Sequence, residues 1–136
     1  MKYYGSGSSA YVDIWDLSEI MVALMKDDVI NERFITIADN MTFKTFQEKV
    51  ANALEVKPAK KEAHSLLLEI GWRLDWLNHK LFGKRRRLSK QMAKSVRTTT
   101  MYDNTKIKSE LDFAFETLDH SISKVSEYYK KDLKKS

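Results

Sequence analysis

The amino-acid sequence predicts an α/β chain that is mainly helical, with two or three short strands. Three observations carry that expectation. Hydrophobic residues make up 43% of the 136 and aromatics 11%, enough for a packed core. Four Gly and one Pro are too few for the many tight turns of a β-sandwich or barrel. Apolar residues recur mostly at three- and four-residue steps, the helical period, and alternate in only a few short stretches. The length fits one domain.

The same composition bounds the chemistry. The chain has no Cys, which removes disulfides, thiolate nucleophiles and Cys-based metal sites and points to a reducing compartment, the cytoplasm. No apolar run approaches the roughly 18 to 20 residues of a spanning helix, and no basic region followed by an apolar stretch opens the chain, so no membrane segment is expected. Twenty-four Lys and Arg against nineteen Asp and Glu give a net charge of +5 and a pI near 9.3. The surplus is local, in Lys84-Arg85-Arg86-Arg87 with Lys90, Lys94 and Arg97, and again in Lys130, Lys131, Lys134 and Lys135.

Residues 1–10, with Gly5-Ser6-Gly7-Ser8-Ser9, are expected as a flexible loop. Tyr11 to Trp15 alternates with period two and is rich in β-branched and aromatic types, which predicts a strand. Asp16 with Glu19 three residues later forms a capping-box pattern opening a helix over Leu17 to Lys26, with Leu17, Ile20, Met21, Leu24 and Met25 on one face. Arg33 to Ala38 predicts a second strand, apolar on both faces. Thr42 is placed to cap a helix carrying Phe43, Phe46, Val50 and Leu54, which Lys57-Pro58 stops. Ala63 to Phe82 predicts a helix with two apolar stripes: Leu67, Ile70, Leu74, Leu77 and Leu81 as the core stripe, and Leu68, Trp72 and Trp76 as a surplus one. Ser89 caps a short basic helix to Val96, and Thr98 to Tyr102 is β-prone enough for a third strand. Asn104 or Thr105 starts a helix through Leu111, and Thr117 starts the last, with Leu118, Ile122, Val125 and Tyr129 on one face. Residues 11–130 thus form the folded portion and 131–136 a basic tail.

Several patterns have a chemical reading to weigh against a plain one. Gly5-Ser6-Gly7 resembles the opening of a phosphate loop, but such a loop follows a strand and runs into a helix, whereas this one precedes a strand. Tyr102 and Lys106 have the i, i+4 spacing by which a lysine activates a tyrosine, yet the helix start at Asn104 or Thr105 leaves Tyr102 outside it. His64, His79 and His120 have no second ligand at i+3 or i+4 and read as surface histidines. Lys84 to Arg97 could meet nucleic acid or an acidic membrane surface, although no aromatic is interleaved to stack on bases, which makes nucleic acid an unfavoured partner. The Leu68, Trp72 and Trp76 stripe is either core or a cover for a partner, a missing domain or an apolar ligand.

Taken in order, Tyr11-Val12-Asp13-Ile14-Trp15-Asp16-Leu17, Glu32-Arg33-Phe34-Ile35-Thr36-Ile37 and Thr42-Phe43-Lys44 to Leu54 resemble the C-terminal part of an extended short-chain dehydrogenase/reductase, the NAD-dependent epimerase/dehydratase group. The resemblance continues through Tyr102-Asp103-Asn104-Thr105-Lys106 and Glu110-Leu111-Asp112-Phe113, similar to that family's Tyr-Asp-x-Ser-Lys and Glu-Leu-Gly-Phe. It implies a parent enzyme whose N-terminal Rossmann domain binds NAD(P) and supplies a Tyr-x-x-x-Lys, while this part closes over a small-molecule substrate. This chain would start after both motifs. No catalytic, cofactor-binding or metal residue can then be carried over, and the chain alone should be inert. Ser9 and Ala10 stand where nucleotide-sugar epimerases carry an Arg-Asp, and the apolar Ala63 to Phe82 stretch replaces their Arg-x-Gly-Asp loop. The chain is therefore more similar to the dihydroflavonol-reductase-like branch, whose substrates are largely apolar. On this resemblance Leu68, Trp72 and Trp76 would line the substrate pocket or face the missing Rossmann domain, and exposed apolar surface would allow a homodimer. The competing class is a small basic interaction module using Lys84 to Arg97.

Overall fold

The structure, a computed structural model, describes residues 3–26, 31–83, 85 and 88–133. The expected class holds: helices dominate and the strands are short. In order, the elements are β1 (Tyr3–Tyr4), β2 (Ser8–Tyr11), α1 (Ile14–Lys26), β3 (Asp39–Thr42), α2 (Phe43–Ala53), β4 (Lys61–Glu62), α3 (Ser65–Phe82), α4 (Lys90–Ser95), α5 (Thr105–Leu111) and α6 (Leu118–Leu133). The strands pair as two ribbons. In one, β2 runs antiparallel to β3 with Ser8 opposite Thr42 and Tyr11 opposite Asp39. In the other, β1 and β4 are parallel, with Tyr3 opposite Lys61.

Residues 3–10 are not a free loop but the centre of the hydrogen bonding. Gly7 donates its N–H to Val96 O at 3.0 Å, Ser8 N–H goes to Thr98 O at 3.2 Å, and Phe43 N–H reaches Gly7 O at 3.1 Å. Two backbones meet here so closely that a Cβ on Gly7 would sit 2.3 Å from Thr98 O, and one on Gly5 would sit 2.5 Å from Val96 O. Glycine is required for approach.

Of the strand expected over Tyr11–Trp15 only Tyr11 lies in one, as the last residue of β2. The reason is Asp13: its carboxylate accepts the Trp15 N–H at 3.0 Å and its carbonyl accepts the Leu17 N–H at 3.0 Å. Ile14 and Trp15 are thereby drawn into α1. Asp16, expected as the cap, lies inside the first turn, where its charge suits the helix dipole and its Oδ2 accepts the Glu116 N–H at 2.9 Å. The strand expected over Arg33–Ala38 does not form, and Ala38 N–H bonds Tyr11 O just beyond the β2–β3 ladder. The third strand expected over 98–102 shrinks to one bridge between Ser8 and Thr99. Farther along, the Asn40 side-chain amide occupies both backbone groups of Tyr102, at 2.8 and 2.9 Å, in place of a neighbouring strand.

Other elements follow their local signals. Thr42 caps α2 by accepting the Thr45 N–H, and Ser89 caps α4 by accepting the Met92 N–H. Helix α2 stops at Ala53, ahead of Pro58, because Glu55 turns the chain at φ 58°. Asp103 Oδ1 holds the start of α5 through Thr105, while Asn104 donates to Ile37 O at 2.7 Å. The core has two parts. Helix α1 packs on α5 and α2 on α6, with Ile20 and Ile107 the largest fully buried side chains. Apart from these, Ala63, Leu68 and Ala93 form a cluster with Trp72, Leu88 and Val96 against it, seating α3 on α4.

That second cluster reverses the assignment of the two α3 stripes. The stripe carrying Leu68 and Trp72 faces inward, whereas Leu67, Ile70, Leu74, Leu77 and Leu81 stay between 44% and 64% exposed. In dilute protein, Leu68→Ala should therefore cost about 2–4 kcal/mol of unfolding free energy in urea, while Leu74→Ala stays within about 0.5 kcal/mol of the parent chain. The opposite ranking would restore the assignment made from periodicity. Gly7→Ala should lose about 1–3 kcal/mol in the same titration, because the methyl group must push Thr98 away.

Candidate functional site

Helices α2 and α6 and the Tyr11–Ile14 turn line an open groove of about 440 Å³. Its wall is almost wholly apolar: Phe46, Val50 and Leu54 from α2, and Leu118, Ile122, Val125 and Tyr129 from α6. The face of α6 that periodicity singles out thus lines this groove. Tyr11 stacks on Phe46 with ring centroids 4.1 Å apart and planes 11° from parallel. Burial pushes the Tyr11 phenol above its ordinary value of 10.0, so it stays protonated at neutral pH.

Polar groups meet the groove at Asp13, Ser121 and Ser126, all three buried. Asp13 is 6% exposed. Burial by itself would raise its carboxyl. The Ser121 hydroxyl, the Trp15 and Ile14 amides and the charge of Lys124 outweigh burial and hold it below its ordinary value of 3.8. Lys124 in turn lies 3.7 Å over the Trp15 ring. Asp13 and Asp16 therefore tie the start of α1 to residues 116–124. A carboxylate so occupied remains ionised at neutral pH and has no proton to trade. The groove can hold an apolar group. Sequence reasoning placed Asp13 in a strand, although an Asp whose carboxylate can accept the N–H two residues on, here that of Trp15, is an Asx-turn signal.

The residues singled out from the sequence are not gathered in one place. Leu68 is buried beside Ala63 and Ala93, and Trp72 packs on that cluster with its Nε1–H on Glu69 Oε2 at 3.1 Å. Trp76 keeps 44% exposure and lies under the Lys80 ammonium, 5.2 Å from its ring centroid. None of the three lines the groove. Tyr102 precedes α5, and Lys106 reaches Glu32 Oε2 at 2.5 Å. Of the basic segment, Lys90 and Lys94 are exposed on α4, and Arg97 is spent on a hydrogen bond to Ser65 Oγ. Lys84, Arg86, Arg87 and the tail from Lys134 lie outside the described residues. His64 is exposed, and His120 contacts Glu116 at 3.1 Å. Among the described residues no three His, Cys, Asp or Glu side chains come together as a metal site. Gly5-Ser6-Gly7 does not take the form of a phosphate loop: the Gly7 amide goes to Val96 O, the backbone of residues 96–98 closes on both glycines, and the stretch leads into β2 rather than a helix.

The depressed Asp13 pKa has a sign. A carboxyl that binds its proton more weakly when folded contributes stability that is present above its unfolded pKa, and that is lost as pH falls through its folded pKa. Stability should thus decline as pH drops from about 4 downward, and Asp13→Asn should flatten that part of a urea midpoint-against-pH curve while lowering the midpoint at pH 7. An unchanged slope would mean that other carboxylates carry the acid limb.

Among the described residues, no helix is long and apolar enough to cross a membrane. The chain matches no protein-family model and no curated protein. It is similar in fold to a solved structure described as the crystal structure of gox2253, at 17% identity and a TM-score of 0.73. That superposition covers 97% of this chain and 40% of the other, so the chain spans well under half the length of the protein it resembles.

Proposed function

We propose that this chain is the substrate-side portion of an NAD(P)-dependent oxidoreductase of the extended short-chain dehydrogenase/reductase type, acting on a largely apolar carbonyl or hydroxyl compound. The observation that carries the reading is α1. Its sequence, Ile14 to Lys26, is apolar around most of its circumference, yet it buries only Asp16 and Ile20. Ile14, Met21 and Val22 are half exposed or more, and Met25 is 83% exposed. A helix that leaves this much apolar surface uncovered suits a place inside a larger body. The order of the segments resembling the epimerase/dehydratase group supports the same reading, as does a likeness of fold to a longer chain.

In this reading a Rossmann domain covers the open side of α1. NAD(P) bound to that domain supplies hydride chemistry, and none of the described residues here replaces it. The residues of this chain contribute shape: the groove walled by Phe46, Val50, Ile122 and Tyr129 excludes water and accommodates the apolar part of a substrate. Asp13 and Asp16 keep the groove's two sides in register.

Titrating the 136-residue chain with NADH and NADPH should give no saturable quenching of its tryptophans, and the DNA upstream of the Met1 codon should encode, in frame, a Gly-rich dinucleotide loop and a Tyr-x-x-x-Lys. Saturable binding of either cofactor, or an upstream frame without those motifs, would overturn the proposal.

A further inference from the structure

The chain after α2 folds back along the helix. Glu55 turns it at φ 58°, Val56 N–H returns to Ala51 O at 2.9 Å, and the stretch to Ala59 closes one side of a second hollow, of about 560 Å³. It shares Tyr11, Phe46, Val50 and Leu54 with the groove. Phe43, Gln47 and Ala51 line this hollow and not the groove. Ala51 and Ala59 are buried and Phe43 and Pro58 half-buried, so the walls enclose a concavity, whereas the apolar side chains of the outer face of α3 stand out from the surface. A concave apolar site of this size suits a small molecule.

Gln47 is the odd member of this wall. Among the described residues, its Oε1 is the one buried side-chain oxygen or nitrogen without a hydrogen-bond partner. A Met at the same place would fill similar space and leave no acceptor unmet, so the glutamine costs the fold stability that an apolar side chain would keep. The oxygen is shut off from bulk water. A modest turn about the terminal torsion of the amide, whose well is broad, brings it to the hollow.

We propose that the hollow binds a small aromatic molecule carrying an N–H or O–H, its ring against Phe43 and Phe46 and its donor on Gln47 Oε1. The walls set the ring, since aromatic faces and edges pack best on other aromatics. The unmet acceptor sets the donor: a purely apolar ligand leaves the oxygen unsatisfied, and a ligand with acceptors alone turns oxygen against oxygen. Neither α1 nor the oxidoreductase reading enters this argument.

Adding indole to the full, isotope-labelled chain should move the side-chain NH2 resonances of Gln47 and the amides of Ala51 and Val56 along a saturating curve, with a Kd of about 0.1–1 mM. Benzofuran, the same bicycle with a ring oxygen in place of the N–H, should bind about three- to tenfold more weakly. Gln47→Met should erase that difference, and should raise the urea midpoint because the unmet acceptor is gone. The comparison of the two probes uses the unaltered chain and so stands even if the variant fails to fold. No saturable shift within the solubility of indole, equal affinity for the two probes, shifts centred on Ile122 and Ser126 of the groove, a preference that survives Gln47→Met, or a lowered midpoint in a folded Gln47→Met chain would each overturn the proposal, and none of these outcomes bears on the cofactor titration.

Discussion

Two stretches of main chain meet at Gly7 with no room for a methyl group between them, and much of the architecture hangs from that contact. The amides of Gly7 and Ser8 reach the carbonyls of Val96 and Thr98, while the carbonyl of Gly7 receives the first amide of α2. One short segment thereby holds β2 beside β3, sets the start of α2 after Thr42, and fixes where the chain leaves α4. Local sequence does not reveal this. Gly-Ser repeats signal freedom when nothing approaches them and close contact when something does, and the difference lies some ninety residues away.

Signals confined to a few residues were legible. The caps at Thr42 and Ser89 and the start of the last helix after Thr117 were all readable, because each needs only a side-chain oxygen and an amide two or three residues on. The start of α1 was misread: Asp16, taken as the cap, receives the Glu116 amide from across the fold, and Asp13, taken as part of a strand, opens the helix. Periodicity likewise found both faces of α3 but ranked them wrongly. Five large aliphatics outweigh one Leu and two Trp in a count of hydrophobicity, yet the small Ala63 and Ala93 make the room that Leu68 fills.

The groove was legible only in halves. The apolar faces of α2 and α6 could be read from their spacing, but their meeting is a long-range fact, and so is the burial of Ser121 and Ser126 on α6. Asp112 sits at φ 48° beyond the end of α5, in a left-handed conformation that Asp tolerates and Gly adopts freely.

Asn40 makes a two-way contact. With one primary amide it both gives a hydrogen to and takes one from the backbone of Tyr102, standing in for a strand. Hydrolytic ageing of that group to a carboxylate would remove the donor and turn a negative oxygen toward a carbonyl. Such a change at a single side chain would loosen the contact between residues 40 and 102 without any change in the gene.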